Sequence, residues 1–285
     1  MSTTRSPYLD TPPLALAHRG GAEFAPHVGL ENTLAAFVGA ARLGYRYLET
    51  DVHLTADGVL IAFHDEFLDR VTDAAGRIAQ LPWRVVESAR VGGREPIPTL
   101  LALLTHLPQV RVNIDLKAPG TADAALAVLR EAGASARVCV GSFSQLRLWR
   151  FRWLARRSGT SVATSAGQLG IVAMRFLPRA VSRVVHTPGV AYQVPVTYPV
   201  FGRELVVVTP QFVAGAHSIG RQVHVWTIDE PAEMHRLLDL GVDGIVTDRI
   251  DTLARVLAER GHPLTPPTTE PRRDQSPTHR TESDR

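Results

Sequence analysis

Short runs rich in β-branched and aliphatic residues alternate with amphipathic helical patterns along almost the whole chain, and few folds accommodate that alternation. Strands are expected at 14–18, 47–54, 59–64, 110–116, 137–140, 161–163, 190–194, 222–227 and 244–247. Helices are expected at 33–43, 99–107, 121–132, 144–155, 167–177, 209–219, 231–240 and 252–260. Asn32 is placed to cap the first helix, Pro231 opens its own at the first turn, and Gly133 and Gly241 follow theirs. Repeated βα units imply parallel strands with right-handed crossovers. Roughly eight such units over about 250 residues favour an α/β fold closed as a TIM (β/α)8 barrel. The barrel is expected over 14–262, after an N-terminal extension, 1–13. Residues 65–98, rich in Gly, Pro and charge, read as a small insertion after the second strand, where active-site loops sit in barrels. Residues 263–285 have almost no apolar side chains and read as a disordered tail.

The 45% of apolar residues is near the globular average, so a sizeable core is available. A net charge of +3 is too small to argue for a nucleic-acid or membrane partner. The arginines crowded between Arg147 and Arg157 read as a solvated helix face with a few buried aromatics, although they and the basic tail leave room for contact with anionic membrane surfaces. Cys139 is the single cysteine, which excludes an intrachain disulfide and fits a reducing compartment. Met1 to Pro13 has no signal-peptide apolar region, and the longest apolar stretch, 169–185, is broken by Arg175, Pro178 and Arg179. A cytoplasmic protein with no stable membrane insertion is therefore expected, and its oligomeric state is left open.

The chemistry gathers at expected strand ends. Glu49 and Asp51, two apart on a strand, share one face, and a buried pair of like charges needs a proton or a metal ion to neutralise it. His18 ends the first strand, Arg19 offers a planar fork for an anion, and Gly20-Gly21 would let backbone approach a ligand. A turn at 55–58 returns the chain to His64 beside the carboxylates. Asn113, Asp115 and Lys117 alternate on one face of a further strand, with Asp115 as a candidate third carboxylate and Lys117 as a cation for an anionic substrate. His224 and Trp226 share a face near the C-terminus, where the Trp can wall a pocket. Singly, each has a structural reading as a hydrogen-bonded histidine or a salt bridge. Together they place charge inside a barrel at three strand ends, which favours function. His53 and Glu31 are candidates for supporting positions behind the site.

The pieces His18-Arg-Gly-Gly21, Glu31-Asn-Thr33, Glu49 to Gly58, His64-Asp65, Asn113 to Lys117, Ser142-Phe143, Val225 to Ile228 and Gly241 to Asp248 occur in that order. In these residues the chain resembles the glycerophosphodiester phosphodiesterase family. The resemblance implies a TIM barrel with a small insertion after the second strand. It implies a divalent cation, Ca²⁺ or Mg²⁺, on Glu49, Asp51 and Asp115, with His18 and His64 as general base and acid and Arg19 and Lys117 on the phosphate. The implied reaction is hydrolysis of small-molecule glycerophosphodiesters, the glycerol 2-hydroxyl attacking first to give a cyclic phosphate. Two departures stand out: Asp115, where the family commonly has Glu, and Leu30, where Pro often precedes Glu-Asn-Thr. The alternatives are a lysophospholipase D-type phosphodiesterase acting on acylated substrates, which a wide apolar mouth formed by the insertion and residues 191–201 would favour, and a non-catalytic glycerophosphodiester-binding protein.

Overall fold

The computed structural model describes residues 6–177, 188–200 and 202–266. Among the described residues, eight parallel strands alternate with eight helices of seven residues or more, numbered here in chain order. The strands are β1 (Leu14–Ala17), β2 (Tyr47–Leu54), β3 (Arg111–Leu116), β4 (Val138–Gly141), β5 (Ala163–Thr164), β6 (Ala191–Val194), β7 (Gln222–Val225) and β8 (Gly244–Thr247). The helices are α1 (Leu34–Arg42), α2 (Leu100–His106), α3 (Thr121–Glu131), α4 (Gln145–Arg157), α5 (Gln168–Phe176), α6 (Pro210–Ser218), α7 (Pro231–Asp239) and α8 (Ile250–Glu259). Around the sheet the order is β5-β4-β3-β2-β1-β8-β7-β6. A parallel bridge from Ser165 to Ala191 joins the two ends, with Ala166 N donating to the Ala191 carbonyl at 2.7 Å. This is the expected TIM barrel.

Side-chain alternation builds its two layers. Along β1, Leu14 and Leu16 join Tyr47, Cys139 and Val246 inside the barrel, while Ala15 and Ala17 join the larger core beneath the helices. Residues ahead of β1 close one end of the interior. Tyr8 is wholly buried, edge-on to Tyr47 at 5.4 Å, and the Tyr47 hydroxyl donates to the Tyr8 carbonyl at 2.8 Å. Truncating a buried aromatic side chain costs about 3–5 kcal/mol. Tyr8→Ala is therefore expected to lower the urea midpoint sharply without altering the slope of the transition.

One interior group makes the barrel acid-sensitive. His224 is fully buried, with Nε2 on Gln222 Oε1 at 2.9 Å and Nδ1 without a hydrogen-bond partner. Burial pushes its pKa from 6.5 down to about 4. The unfolded chain takes up this proton first, so the stabilisation is complete above pH 6.5 and is lost as the pH falls towards 4. The full loss is on the order of 3 kcal/mol. His224→Asn is expected to flatten the fall in unfolding free energy across that interval relative to the parent, which denaturant titrations at several pH values measure.

Several local expectations are corrected. Thr33, not Asn32, caps α1, its side chain accepting from Ala36 N at 3.2 Å. Asn32 is turned left-handed (φ 60°) and its Oδ1 accepts from the Thr50 hydroxyl at 2.7 Å, so it lacks the extended backbone that an N-cap needs. The Gly20-Gly21 pair serves packing rather than ligand approach. Both have φ near 88°, and a Cβ would lie 2.8 Å from the Ala36 Cβ at the first and 2.7 Å from Ile250 at the second. On α4 the expected solvated face holds at Arg150, Arg156 and Arg157, and Phe151 is buried as expected, but three residues depart from the pattern. Arg152 is buried, donating to Thr164 Oγ1 and to the Ser165 carbonyl, while Trp149 and Trp153 are half exposed.

The strand Leu60–Ala62 returns antiparallel on β2, as the turn at 55–58 predicts. The segment after it has its own small core, including Phe63, Leu68, Ile78, Val86 and Ile97. A hairpin with strands Thr197–Val200 and Arg203–Val206, absent from the sequence expectations, follows β6. At the C-terminus Leu264 packs against the main core, and the rest of the expected tail, 267–285, lies outside the described residues. No helix among the described residues is long and apolar enough to cross a membrane.

Candidate active site

The C-terminal ends of the strands open into a cleft of about 610 Å³. His18, Arg19, Glu49, Asp51, His64, Asp115, Lys117 and Trp226 all line it. Register explains part of the convergence. β2 pairs with β3 so that Asp51 stands beside Asp115 and Glu49 beside Asn113. The short return strand then carries His64 to the same rim. Trp226 packs edge-on to Phe143 at 5.6 Å and walls the opposite side.

Each histidine is held through Nδ1 by a carboxylate. His18 Nδ1 lies 2.9 Å from Asp248 Oδ1, and its Nε2 lies 3.8 Å from Glu49 Oε2. Burial works against the charged ring, but the Asp248 hydrogen bond and the charges of Glu49 and Asp248 outweigh it and raise the His18 pKa. His64 Nδ1 lies 2.6 Å from Asp65 Oδ1. Burial would raise the Asp65 pKa, yet the Arg70 and His64 hydrogen bonds hold it down at about 2. These contacts direct both Nε2 atoms away from their anchors.

The expected supporting residues stand behind this layer. Glu31 accepts from Arg19 Nη1 at 3.2 Å and from Arg70 Nη2 at 2.7 Å, and Arg70 reaches on to Asp65. His53 Nε2 meets the His64 carbonyl at 2.9 Å, fixing the backbone that carries the ring. Arg19 itself has φ 49°, and its amide donates to Glu49 Oε2 at 3.3 Å. Sequence reasoning assigned no role to Asp248, Asp65 or Arg70. Asp65 directly follows His64 in a quoted motif, so adjacency could have found it; Asp248 meets His18 only because β1 and β8 are neighbours, and Arg70 reaches Asp65 only when the insertion folds back.

The carboxylates are strongly perturbed. Burial and then the Asp51 charge push Glu49 up to about 8, against His18, Arg19 and Lys117. Burial would also raise Asp51, but Lys117 and Arg19 hold it below its usual value. Burial keeps Asp115 raised despite Lys117. Lys117 Nζ stands between the two aspartates, 2.9 Å from Asp51 Oδ1 and 2.8 Å from Asp115 Oδ2. Its sequence-derived place is on the substrate, and in the structure it lines the cleft while pairing with both acids. Arg19 Nε lies 3.2 Å from Asp51 Oδ2.

As the side chains stand, no three His, Cys, Asp or Glu groups among the described residues are close enough to hold an ion. The donor chemistry nevertheless suits a hard cation, because all three acids present carboxylate oxygens. Asp51 Oδ2 and Asp115 Oδ2 are buried, and each is met only by a side-chain cation, Arg19 Nε at 3.2 Å and Lys117 Nζ at 2.8 Å. Burial and the Asp51 charge favour the protonated form of Glu49, and with it neutral the charges of Asp51 and Asp115 balance those of Arg19 and Lys117. A divalent cation would draw Glu49 into its ionised form and give the cleft the positive charge that a phosphodiester anion needs.

A sequence model of the family described as the glycerophosphoryl diester phosphodiesterase family matches residues 18–252. A Mycobacterium tuberculosis protein named "Probable glycerophosphodiester phosphodiesterase 2" is 42% identical over 249 residues, covering 87% of this chain and 92% of its own. The glycerophosphodiester phosphodiesterase of Caldanaerobacter subterraneus subsp. tengcongensis is 28% identical, covering 87% and 99%. Among solved structures, an Oleispira antarctica phosphodiesterase in complex with the product sn-glycerol-3-phosphate superposes with a TM-score of 0.71 at 25% identity, covering 87% of this chain and 97% of that one.

Proposed function

Because the chain belongs to the glycerophosphoryl diester phosphodiesterase family and is an enzyme that hydrolyses glycerophosphodiesters to sn-glycerol 3-phosphate and an alcohol, we propose that His18 and His64 perform its acid–base chemistry. The observation carrying this assignment is the pair of imidazoles on one cleft, each fixed through Nδ1 by its own carboxylate. That anchoring leaves Nε2 as the nitrogen that exchanges protons with substrate.

The glycerol 2-hydroxyl gives its proton to His18 Nε2 as its oxygen attacks phosphorus. The bond from phosphorus to the head-group oxygen breaks, and His64 Nε2 supplies the proton that the alcohol takes away. A cyclic phosphate remains. Water then attacks phosphorus, losing a proton to His64, and His18 returns its proton to the 2-oxygen, which yields sn-glycerol 3-phosphate and restores both rings. Arg19 and Lys117 bind the non-bridging oxygens, and Trp226 walls the substrate. Glu31 and His53 act by holding Arg19, Arg70 and the His64 backbone.

The family is in general dependent on a divalent cation. Ca²⁺ or Mg²⁺ on Glu49, Asp51 and Asp115 would supply positive charge to a phosphoryl oxygen and make the attacking hydroxyl easier to deprotonate. With Asp115 one methylene shorter than Glu, an ion there would be reached through water, or the preferred ion would differ. A cytoplasmic location belongs to the same proposal, since one cysteine gives the chain no use for an oxidising compartment. An assay of purified enzyme with Mg²⁺ or Ca²⁺ on a panel of glycerophosphodiesters, coupled to detection of sn-glycerol 3-phosphate, tests the reading. Turnover is expected, and binding without turnover under every metal tried would leave a binding protein.

A further inference from the structure

The cleft does not end at its charged residues. Beyond Phe143 and Gln193 the wall is built by Ile171, Val172 and Phe176 of α5 and by Val200, Leu205 and Val207 of the hairpin after β6. Arg175 ties the two walls together, its Nε donating to the Val206 carbonyl at 2.9 Å. The insertion contributes no residue to this mouth, and its apolar residues fill their own core. The apolar lining runs out to the surface, where Val172 is 54% and Phe176 57% exposed, facing a half-exposed Tyr198. Contiguous exposed apolar residues at the lip of a cleft mark a binding surface.

We propose that this annex binds a linear aliphatic chain carried by the substrate, so that the enzyme accepts glycerophosphodiesters bearing one. The proposal rests on the catalytic reading of the charged end. A head-group diester such as glycerophosphocholine has about sixteen heavy atoms, and at no more than roughly 30 Å³ each it fills at most about 480 Å³. At least about 130 Å³ of the cleft's roughly 610 Å³ is left over on that basis. A polyol there would lose hydrogen bonds to water and regain few, because Arg175 is already engaged and the rest of this wall is mainly aliphatic. A hydrocarbon chain suits it. In a 1-acyl lysophospholipid the 2-hydroxyl stays free, so the same steps apply. The bond from phosphorus to the head-group oxygen breaks, water supplies its oxygen to phosphorus and a proton to the alcohol, and the acyl ester is untouched.

The chain has two possible points of attachment, the glycerol or the departing alcohol, and two substrate series separate them. One series is 1-acyl-glycero-3-phosphocholines, the other glycero-3-phospho-n-alkanols, each from two to ten carbons and kept below the micellar range. Burial of a methylene is worth about 0.8 kcal/mol, close to fourfold. The kcat/KM of one series should rise by up to about fourfold per methylene and level off at about four carbons or somewhat more, where roughly 30 Å³ per methylene fills the annex. Val172→Asp or Leu205→Asp should lower the ratio of kcat/KM for the eight-carbon to the two-carbon substrate at least tenfold; Val172 is exposed enough to take a charge without threatening folding. Calorimetric titration of the same series into His64→Ala enzyme reads the chain's contribution independently of turnover. Normal turnover of glycerophosphocholine with flat or falling dependence on chain length in both series overturns the annex. Tighter binding with chain length but no turnover of any substrate by the parent sustains the annex and overturns the catalytic reading.

Discussion

His64→Ala and His18→Ala are each expected to lower kcat on glycerophosphocholine by about 10²–10⁴-fold, the usual contribution of a positioned acid or base. Neither change should unfold the protein, since both rings lie at the rim of the cleft rather than in the packed interior. The loss should fall mainly on kcat, because the proton transfers are made in the transition state and the phosphate is bound by other groups. The double variant should be little worse than either single one, since the two rings act in one relay. Steady-state kinetics on the three variants, with melting curves to verify folding, measure this. Asp248→Asn is a milder form of the same test: it keeps the shape and removes the charge that raises the His18 pKa.

The second large effect concerns the carboxylates. Asp51→Ala is expected to reduce kcat/KM by at least about 10²-fold, in line with several kcal/mol of transition-state stabilisation from a bound cation. Chelation of the parent should cause a comparable loss, reversed by Ca²⁺ or Mg²⁺. The two perturbations must not add: chelation of Asp51→Ala should change little, because both remove the same interaction. Metal titration by calorimetry should show one site in the parent and none in Asp51→Ala. Persistence of full activity after exhaustive chelation would show that Arg19 and Lys117 alone bind the phosphate and that the acids serve only to hold them.

How much of this was legible in the sequence depends on whether a signal was local. All eight helices lie where their apolar periodicity and end signals put them, with Pro231 at a first helical position and Gly133 and Gly241 just past helix ends. The convergence of Glu49, Asp51, Asp115, His18 and His64 was legible because alternate strand positions face one way and parallel strand ends gather at one rim. What was missed depends on chain brought from far away. Asp248 meets His18 across 230 residues. Asn32 was read as a cap from its type alone, but Thr50 on β2 bonds its side chain and shifts the cap to Thr33. Arg152 was read as solvent-facing until β5 offered it Thr164 and Ser165. The hairpin at 197–206 carries Pro199 and an exposed outer face, so its pattern is neither that of a buried strand nor that of a helix.

The account stands on His64 as the group that protonates the departing alcohol, and the leaving group itself tests that. A 4-nitrophenyl ester of glycerol 3-phosphate expels an alcohol acidic enough to leave without a proton. The comparison is kcat/KM for parent and His64→Ala on this ester and on glycerophosphocholine. The account predicts a loss of about 10²–10⁴-fold on glycerophosphocholine and less than about tenfold on the aryl ester, with His18→Ala impaired on both. Equal losses for His64→Ala on the two substrates would contradict it.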